Sequence, residues 1–249
     1  MVAKVFLLGR PGSGKTTAFQ CIEEWAKGFG LPVRRYREYT ILCDMFKSRR
    51  GEFKEAKHGG FDILDFSVLR ESARCLQSQV QTYIRERAQE NELLFIELAR
   101  DDYGQALRQG FTPDFLQDAY FLFIEANLEK CIQRVHHRFF HPAGTDGHFI
   151  SEHILREHYC FDNKKYMAKR FQQDYDLQKT VTVIANNSSY DRFCKKLRPF
   201  ARYIFSQIGI EIPARSLSPS IYNLAGFPFR IELFPVPSLF WARTPRGRR

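Results

Sequence analysis

The segment Gly9-Arg10-Pro11-Gly12-Ser13-Gly14-Lys15-Thr16 sets three glycines within six positions and follows them with a lysine and a threonine. Ahead of it, Val5-Phe6-Leu7-Leu8 is a short apolar run, the pattern of a strand buried on both faces in a parallel sheet. Behind it, Ala18, Ile22, Trp25 and Phe29 recur at helical spacing, and Gly28 and Gly30 stand where such a helix ends. Strand, glycine loop and helix in that order restrict the chain to an α/β fold opening on a tight strand-to-helix turn. The glycines let the backbone curl so that N–H groups point inward, and the helix start adds its positive dipole end. Such a turn holds an anion with main chain.

The string matches the phosphate-binding pattern G-x-x-x-x-G-K-S/T in full, in the strand-to-helix context that its mechanism requires. Lys15 is expected to reach the β and γ phosphates of a nucleoside triphosphate, and the Thr16 hydroxyl to take one place in the octahedral shell of Mg2+. Thr17, the next helical residue, closes the candidate nucleotide-binding set of Gly9, Arg10, Pro11, Gly12, Ser13, Gly14, Lys15, Thr16 and Thr17. The expected ligands are ATP and Mg2+.

Downstream, the arginine-bearing run Val33 to Tyr36, Leu93 to Ile96 closing on Glu97, Tyr120 to Ile124 closing on Glu125, and Val181 to Ala185 supply further strands. Between them, Thr40 is expected to cap a helix over Ile41 to Phe46, and Leu69, Ala73, Leu76, Val80 and Ile84 mark a long amphipathic one. Asn127 caps a helix through Val135, and Ser151 with Glu152 starts another. Alternating strands and helices imply a doubly wound, three-layer sandwich with a five-stranded parallel sheet. A chain of 249 residues, 44% hydrophobic, fills one such domain with little left for a second. From Ser206 onward prolines crowd a stretch without lysine that ends in Arg246-Gly247-Arg248-Arg249 and shows no sustained period. We therefore expect a domain over residues 1–205 and an appended proline- and arginine-rich segment over 206–249, folded docking element or disordered tail.

A net charge of +10 suits anionic partners: nucleotide phosphates, nucleic acid or lipid headgroups. Six cysteines scattered singly, with no C-x-x-C pair, read as reduced, mostly buried thiols, and the opening apolar run is too short to span a bilayer. The expectation is a cytoplasmic protein without a membrane anchor.

The stretch Leu7 to Thr16, with its proline-glycine-serine-glycine core, resembles the loop of the adenylate-kinase-like small P-loop kinases, a group with nucleotide, nucleoside and gluconate kinases and zeta toxins. The likeness covers about residues 1–205 in element order, with motif-level agreement in the loop alone. It implies a carboxylate at the end of the strand beside the loop strand, holding magnesium or taking the acceptor's proton, and an arginine just after it that binds substrate. Glu97 and Arg100 fit by position, in Glu97-Leu98-Ala99-Arg100 rather than the group's Asp-Gly-x-Pro-Arg or adjacent Glu-Arg, so the substrate class stays open. Asp101 and Asp102 are reserves for the magnesium role.

The resemblance also implies a helical lid whose arginines close on the transferring phosphoryl group. Arg134 and Arg138, one helical turn apart, are the candidates, with Arg156 on the next helix for substrate, in a lid over about residues 134–158. The histidines from His136 through His148, with His153 and His158, lie in it without the paired cysteines of zinc-holding lids. The acceptor is expected beside the basic segment with Lys47, Arg49, Arg50, Lys54, Lys57 and His58. Asp65 there is either a substrate contact or a helix cap.

Three functions fit: transfer of the γ phosphate of ATP to a small acceptor, a nucleoside, nucleotide or nucleotide sugar, with an anionic one suited to the basic segment; a nucleotide-dependent switch or NTPase acting through a protein; and a polynucleotide 5'-hydroxyl kinase. The first is favoured. Nucleic acid is weakened as partner because six arginines against two glutamates in residues 206–249 carry +4 of the +10, and no nucleic-acid-binding signature stands out in the rest. Oligomeric state has no sequence signal.

Overall fold

The computed structural model describes residues 1–56, 60–140, 150–161 and 163–212. Strand β1 (Ala3–Leu8) leads through the glycine loop into helix α1 (Lys15–Gly28), then β2 (Val33–Arg37) and α2 (Glu38–Ser48). Two short antiparallel strands, β3 (Phe53–Glu55) and β4 (Phe61–Ile63), precede the long α3 (Ser67–Glu86) and β5 (Leu93–Glu97). Short helices α4 (Ala106–Gly110) and α5 (Pro113–Gln117) lead to β6 (Tyr120–Glu125) and α6 (Leu128–Phe140). Helices α7 (Glu152–Glu157), α8 (Lys164–Lys169) and α9 (Phe171–Asp174), strand β7 (Val181–Ala185) and helix α10 (Tyr190–Gln207) complete the described fold.

The main sheet has five parallel strands in the order β2-β5-β1-β6-β7, flanked by helices on both faces. Its central strands read as unbroken apolar runs because both faces are covered. Phe6, Leu94, Ile96, Phe121 and Phe123 point into the layer with α2 to α5, α8 and α9, while Val5, Leu7, Leu93, Phe95 and Leu122 face α1 and α10. Strand β2 tolerates three arginines because it forms the sheet edge with one strand neighbour, β5, and Arg34 covers the Tyr83 ring at 4.2 Å.

Several local expectations change. Helix α2 begins at Glu38, so Thr40 lies inside it rather than capping it; the chain turns straight from the edge strand into the helix, with extended Arg37 at the boundary. Asp65 lies just before the Phe66 cap of α3 and makes a local turn there, its Oδ1 accepting from the Ser67 N–H at 2.9 Å. Ser151 caps α7 as expected, its hydroxyl accepting from the Ile154 N–H. Helix α10 was not expected at all, and it carries Pro199 on its exposed side. Past it, Ile208 is buried and Ile210 and Ile212 pack on the same core, so the folded body runs through Ile212 rather than stopping at 205. The expected segment 206–249 otherwise lies outside the described residues, as do Lys57, His58, His141 and His148.

The thiols are free, with Cys21, Cys131 and Cys194 buried. Cys21 on α1 and Cys194 on α10 meet with their sulfurs 2.8 Å apart. Among the described residues no helix is long and apolar enough to cross a membrane.

Candidate functional site: a basic phosphate cradle

The loop between β1 and α1 is shaped by glycine. Gly12 has φ 77°, and a Cβ there would stand 2.5 Å from the Cys131 carbonyl oxygen of α6, so the loop lies against that helix only because the position has no side chain. Gly14 caps α1 at φ 110° with no side-chain hydrogen bond to the helix start, and the first turn of α1 holds no acidic residue. The N–H groups of that turn are left for an anion.

The loop's carbonyls are held from outside by distant parts of the chain. Arg134 on α6 donates through Nη1 to the Gly12 and Ser13 carbonyls at 3.3 and 3.4 Å, and through Nη2 to the Asn186 carbonyl at 3.0 Å. Asn186, just after β7, donates its Nδ2 to the Ser13 carbonyl at 2.8 Å. The Tyr103 hydroxyl, wholly buried, accepts from the Gly9 N–H at 2.9 Å. Arg10 reaches outward, donating to the carbonyls of Ala126 and Phe161 at 3.3 and 2.7 Å. Pro11 and Ser13 are buried within the loop, and Thr17 follows Thr16 in the first turn of α1.

Lys15 is 7% exposed, and its Nζ donates to the Gly9 and Arg10 carbonyls at 2.8 and 3.1 Å. Burial depresses its pKa from 10.5 to about 8, against the pull of Glu97, with Arg138 and Arg35 adding to the fall. Arg138, a turn beyond Arg134 on α6, is held below the usual arginine value first by burial, and it too faces Glu97. Its Nε is buried without a hydrogen-bond partner. Buried Lys15 and half-buried Arg138 both stand in the field of Glu97, which Arg35 also engages, so positive charge is in excess at the cradle and suits an anion.

Glu97 ends β5, beside β1 as expected, in register with Leu7 and with Arg37 of β2. It is ion-paired to Arg35, whose Nε donates to Glu97 Oε2 at 3.0 Å and whose Nη2 donates both to that oxygen and, at 2.9 Å, to Thr16 Oγ1. The two oxygens assigned to magnesium therefore lie within the span of one guanidinium. Both are hard donors of the type that binds Mg2+ through one carboxylate and a hydroxyl, the rest of the shell coming from phosphate and water, so the residues fit the ion. No group of three or more His, Cys, Asp or Glu among the described residues is arranged to hold a metal alone.

Arg100 is a correction. Rather than facing substrate, it is 5% exposed and forms a bidentate pair with Glu38 of α2, also donating to the Leu69 carbonyl at 2.9 Å. Ser72 completes the carboxylate, donating to Glu38 Oε1 at 2.6 Å. Arg156 is also placed elsewhere: exposed on α7, it pairs with Glu129 of α6 and Glu152 and ties the two helices together. Asp102 accepts from the Gly104 N–H, and Asp101 lies toward His158 with an oxygen–nitrogen distance of 3.9 Å, so neither stands at Thr16. In the basic segment, Arg49 is engaged bidentately by Glu71.

The structure brings the loop, Lys15, Thr16, Glu97 and both arginines of α6 together as the sequence suggested, and adds Arg35, Tyr103 and Asn186, which the sequence reading did not name. The signal for Arg35 was present as a cation embedded in a predicted strand. Nothing local marks Tyr103 or Asn186, whose contacts with the loop span 94 and 173 positions.

No protein-family model matches this chain, and no curated protein matches its sequence. Among solved structures, Chaetomium thermophilum Kti12 in complex with ADP-AlF3 is similar at 13% identity and TM-score 0.51, over 83% of this chain and 100% of that one. An unliganded sugar kinase from Janibacter is similar at 14% identity and TM-score 0.44, over 85% and 100%. The Mycobacterium tuberculosis APS kinase in complex with AMPPNP and APS follows at 14% identity and TM-score 0.45, over 79% and 95%. The five-stranded parallel sheet and its loop share the fold of that Kti12 structure.

Proposed function

On that fold, we propose that this chain is a phosphotransferase that moves the γ phosphate of ATP, with Mg2+, to a small acceptor: a nucleoside, a nucleotide or a nucleotide sugar. The observation that carries the reading is the excess of cations, Lys15, Arg35 and Arg138, around the single carboxylate of Glu97 beside a helix start without a side-chain cap. In-line phosphoryl transfer needs positioned positive charge more than covalent help, and the cradle supplies it.

In this reading the N–H groups around Gly12 to Thr16 hold the β phosphate, and Lys15 leaves the Gly9 and Arg10 carbonyls to meet the β and γ oxygens. Arg138 neutralises the transferring group with the Nε that has no protein partner. Arg134 acts from behind, fixing the loop's shape through its carbonyls. Glu97 takes the proton of the acceptor hydroxyl as that oxygen attacks. Magnesium, when bound at Thr16 and Glu97, screens the charge that builds on the phosphate oxygens. Residues 1–205 with their continuation through Ile212 form the catalytic domain, residues about 134–158 its lid, and the remainder an appended segment; the setting is the cytoplasm. The similar Kti12 structure was solved with ADP-AlF3, a ligand of the class proposed.

A second reading, a nucleotide-dependent switch or NTPase working through a protein partner, is favoured by one fact: Glu97 is already engaged by Arg35 and so is less available as a base. The two part in a single assay. The protein is incubated with γ-labelled ATP, magnesium and pooled nucleosides, nucleotides, nucleotide sugars and 5'-hydroxyl oligonucleotides, beside Lys15→Ala and Arg138→Ala. Labelled small acceptor, lost in both variants, is expected. Free phosphate alone, with Arg138→Ala unimpaired, would reject the kinase reading in favour of the switch, and label on the oligonucleotide would move the acceptor to nucleic acid.

A further inference from the structure

Arg35 stands where three elements meet. It projects from the edge strand β2 across the end of β5 to Glu97, and onward to Thr16 in the first turn of α1. Its guanidinium lies over the Phe19 ring at 4.7 Å, and that ring packs edge-on against Phe95 at 5.3 Å. The side chains of Arg35 and Glu97 are only 13% and 15% exposed. The arginine is therefore fixed from below by an aromatic face and in front by a carboxylate and a hydroxyl, and its planar fork is well matched to that geometry.

The hydroxyl's role is the informative one. A Thr16 Oγ1 that accepts from Arg35 Nη2 at 2.9 Å directs a lone pair at the guanidinium, and Glu97 Oε2 takes two N–H groups from the same arginine. A divalent cation at this point needs the same lone pairs. Thr16 keeps a second lone pair and Glu97 a second oxygen, but a metal ion on them would stand at contact distance from the guanidinium, where the two positive charges repel. Resting on the nucleotide-binding reading above, we infer that Arg35 is a competitor for the Mg2+ position: it supplies the positive charge between Thr16 and Glu97 when nucleotide binds without metal, and it must release Thr16 for metal to enter. Arg35 thereby sets how strongly nucleotide binding depends on divalent cation. It is a positioning residue for the metal ligands rather than a group that reacts.

The test reads binding, not turnover. The affinity of a fluorescent, non-hydrolysable ATP analogue is measured by anisotropy in EDTA and again in excess MgCl2, for the wild type, Arg35→Met and Arg35→Lys, with thermal melts confirming that each is folded. The wild type is expected to show a small ratio between the two affinities. Removing the charge in Arg35→Met weakens metal-free binding and frees the metal ligands, so the ratio grows by about tenfold or more, the scale of a lost charge-assisted hydrogen bond. Arg35→Lys, which keeps charge but not the fork, falls between. A MgCl2 titration at fixed analogue should show a tighter apparent metal constant for Arg35→Met. Equal ratios in all three proteins would overturn the inference, as would a ratio that falls in Arg35→Met. Absence of any phosphorylated acceptor, with analogue binding intact, would instead remove the kinase reading and leave the role of Arg35 standing.

Discussion

Lys15 carries a charge in a place that penalises charge. Its folded-state pKa of about 8 lies below its ordinary 10.5 because burial disfavours the ammonium form, so the folded protein bears the full penalty below pH 8 and sheds it between about 8 and 10.5. A phosphate reverses the balance, raising the pKa and drawing a proton onto the lysine. ATP binding should therefore take up a proton near pH 8 to 9, and the dissociation constant should rise by up to about tenfold per pH unit above the free-state pKa. Calorimetry in buffers of different ionisation enthalpy measures that uptake directly. A Lys15→Met protein should lose both the uptake and the pH dependence, and an affinity flat from pH 7 to 10 in the wild type would rule the linkage out. The residue scale is also where the sequence speaks most clearly. Lys15, Thr16 and the glycines are legible because their chemistry is local, each needing only a strand before and a helix after. Arg35 and Arg100 are not, because whether an arginine faces ligand or carboxylate depends on which strand ends beside it.

At the scale of elements, three strands follow from apolar runs bounded by glycine or carboxylate, β1 at Gly9, β5 at Glu97 and β6 at Glu125, and β7 from its β-branched run ahead of Asn186. Strand β2 is harder to read, since arginine contradicts strand propensity until the strand is known to lie at an edge. Helix α10 was missed because local propensity counts Pro199 heavily, whereas Phe193, Leu197, Phe200, Ile204 and Phe205 bury a full stripe that outweighs one lost hydrogen bond. The buried Glu38–Arg100 pair joins the start of α2 to the segment after β5 and to α3 through Leu69 and Ser72. Removing one partner leaves the other charge stranded, so Arg100→Met should destabilise the fold by about 3–5 kcal/mol, and replacing both with Glu38→Gln/Arg100→Met should recover part of that loss. Urea unfolding of the three proteins decides it. A loss under about 1 kcal/mol would mean that the pair is solvated and Arg100 is available to substrate after all.

Across the whole molecule, the cradle is made by the first 16 residues and held in shape by residues far along the chain. Tyr103 closes it at Gly9, Arg134 braces Gly12 and Ser13, and Asn186 braces Ser13 again while its own carbonyl anchors Arg134. Asn186→Ala leaves the Ser13 carbonyl without its 2.8 Å donor in a buried place, and should lower stability by about 1–3 kcal/mol while weakening ATP binding. Chemical denaturation and calorimetry read the two effects, and a loss of stability with unchanged affinity would separate the brace from the cradle. The bracing carries a further consequence, for a chain made one residue at a time. The glycine loop is made before its braces, since Arg134 and Asn186 emerge more than a hundred residues after it. The braced form of the cradle exists only after β7 has joined the sheet, so a nascent chain halted before Asn186 should bind ATP more weakly than the finished body.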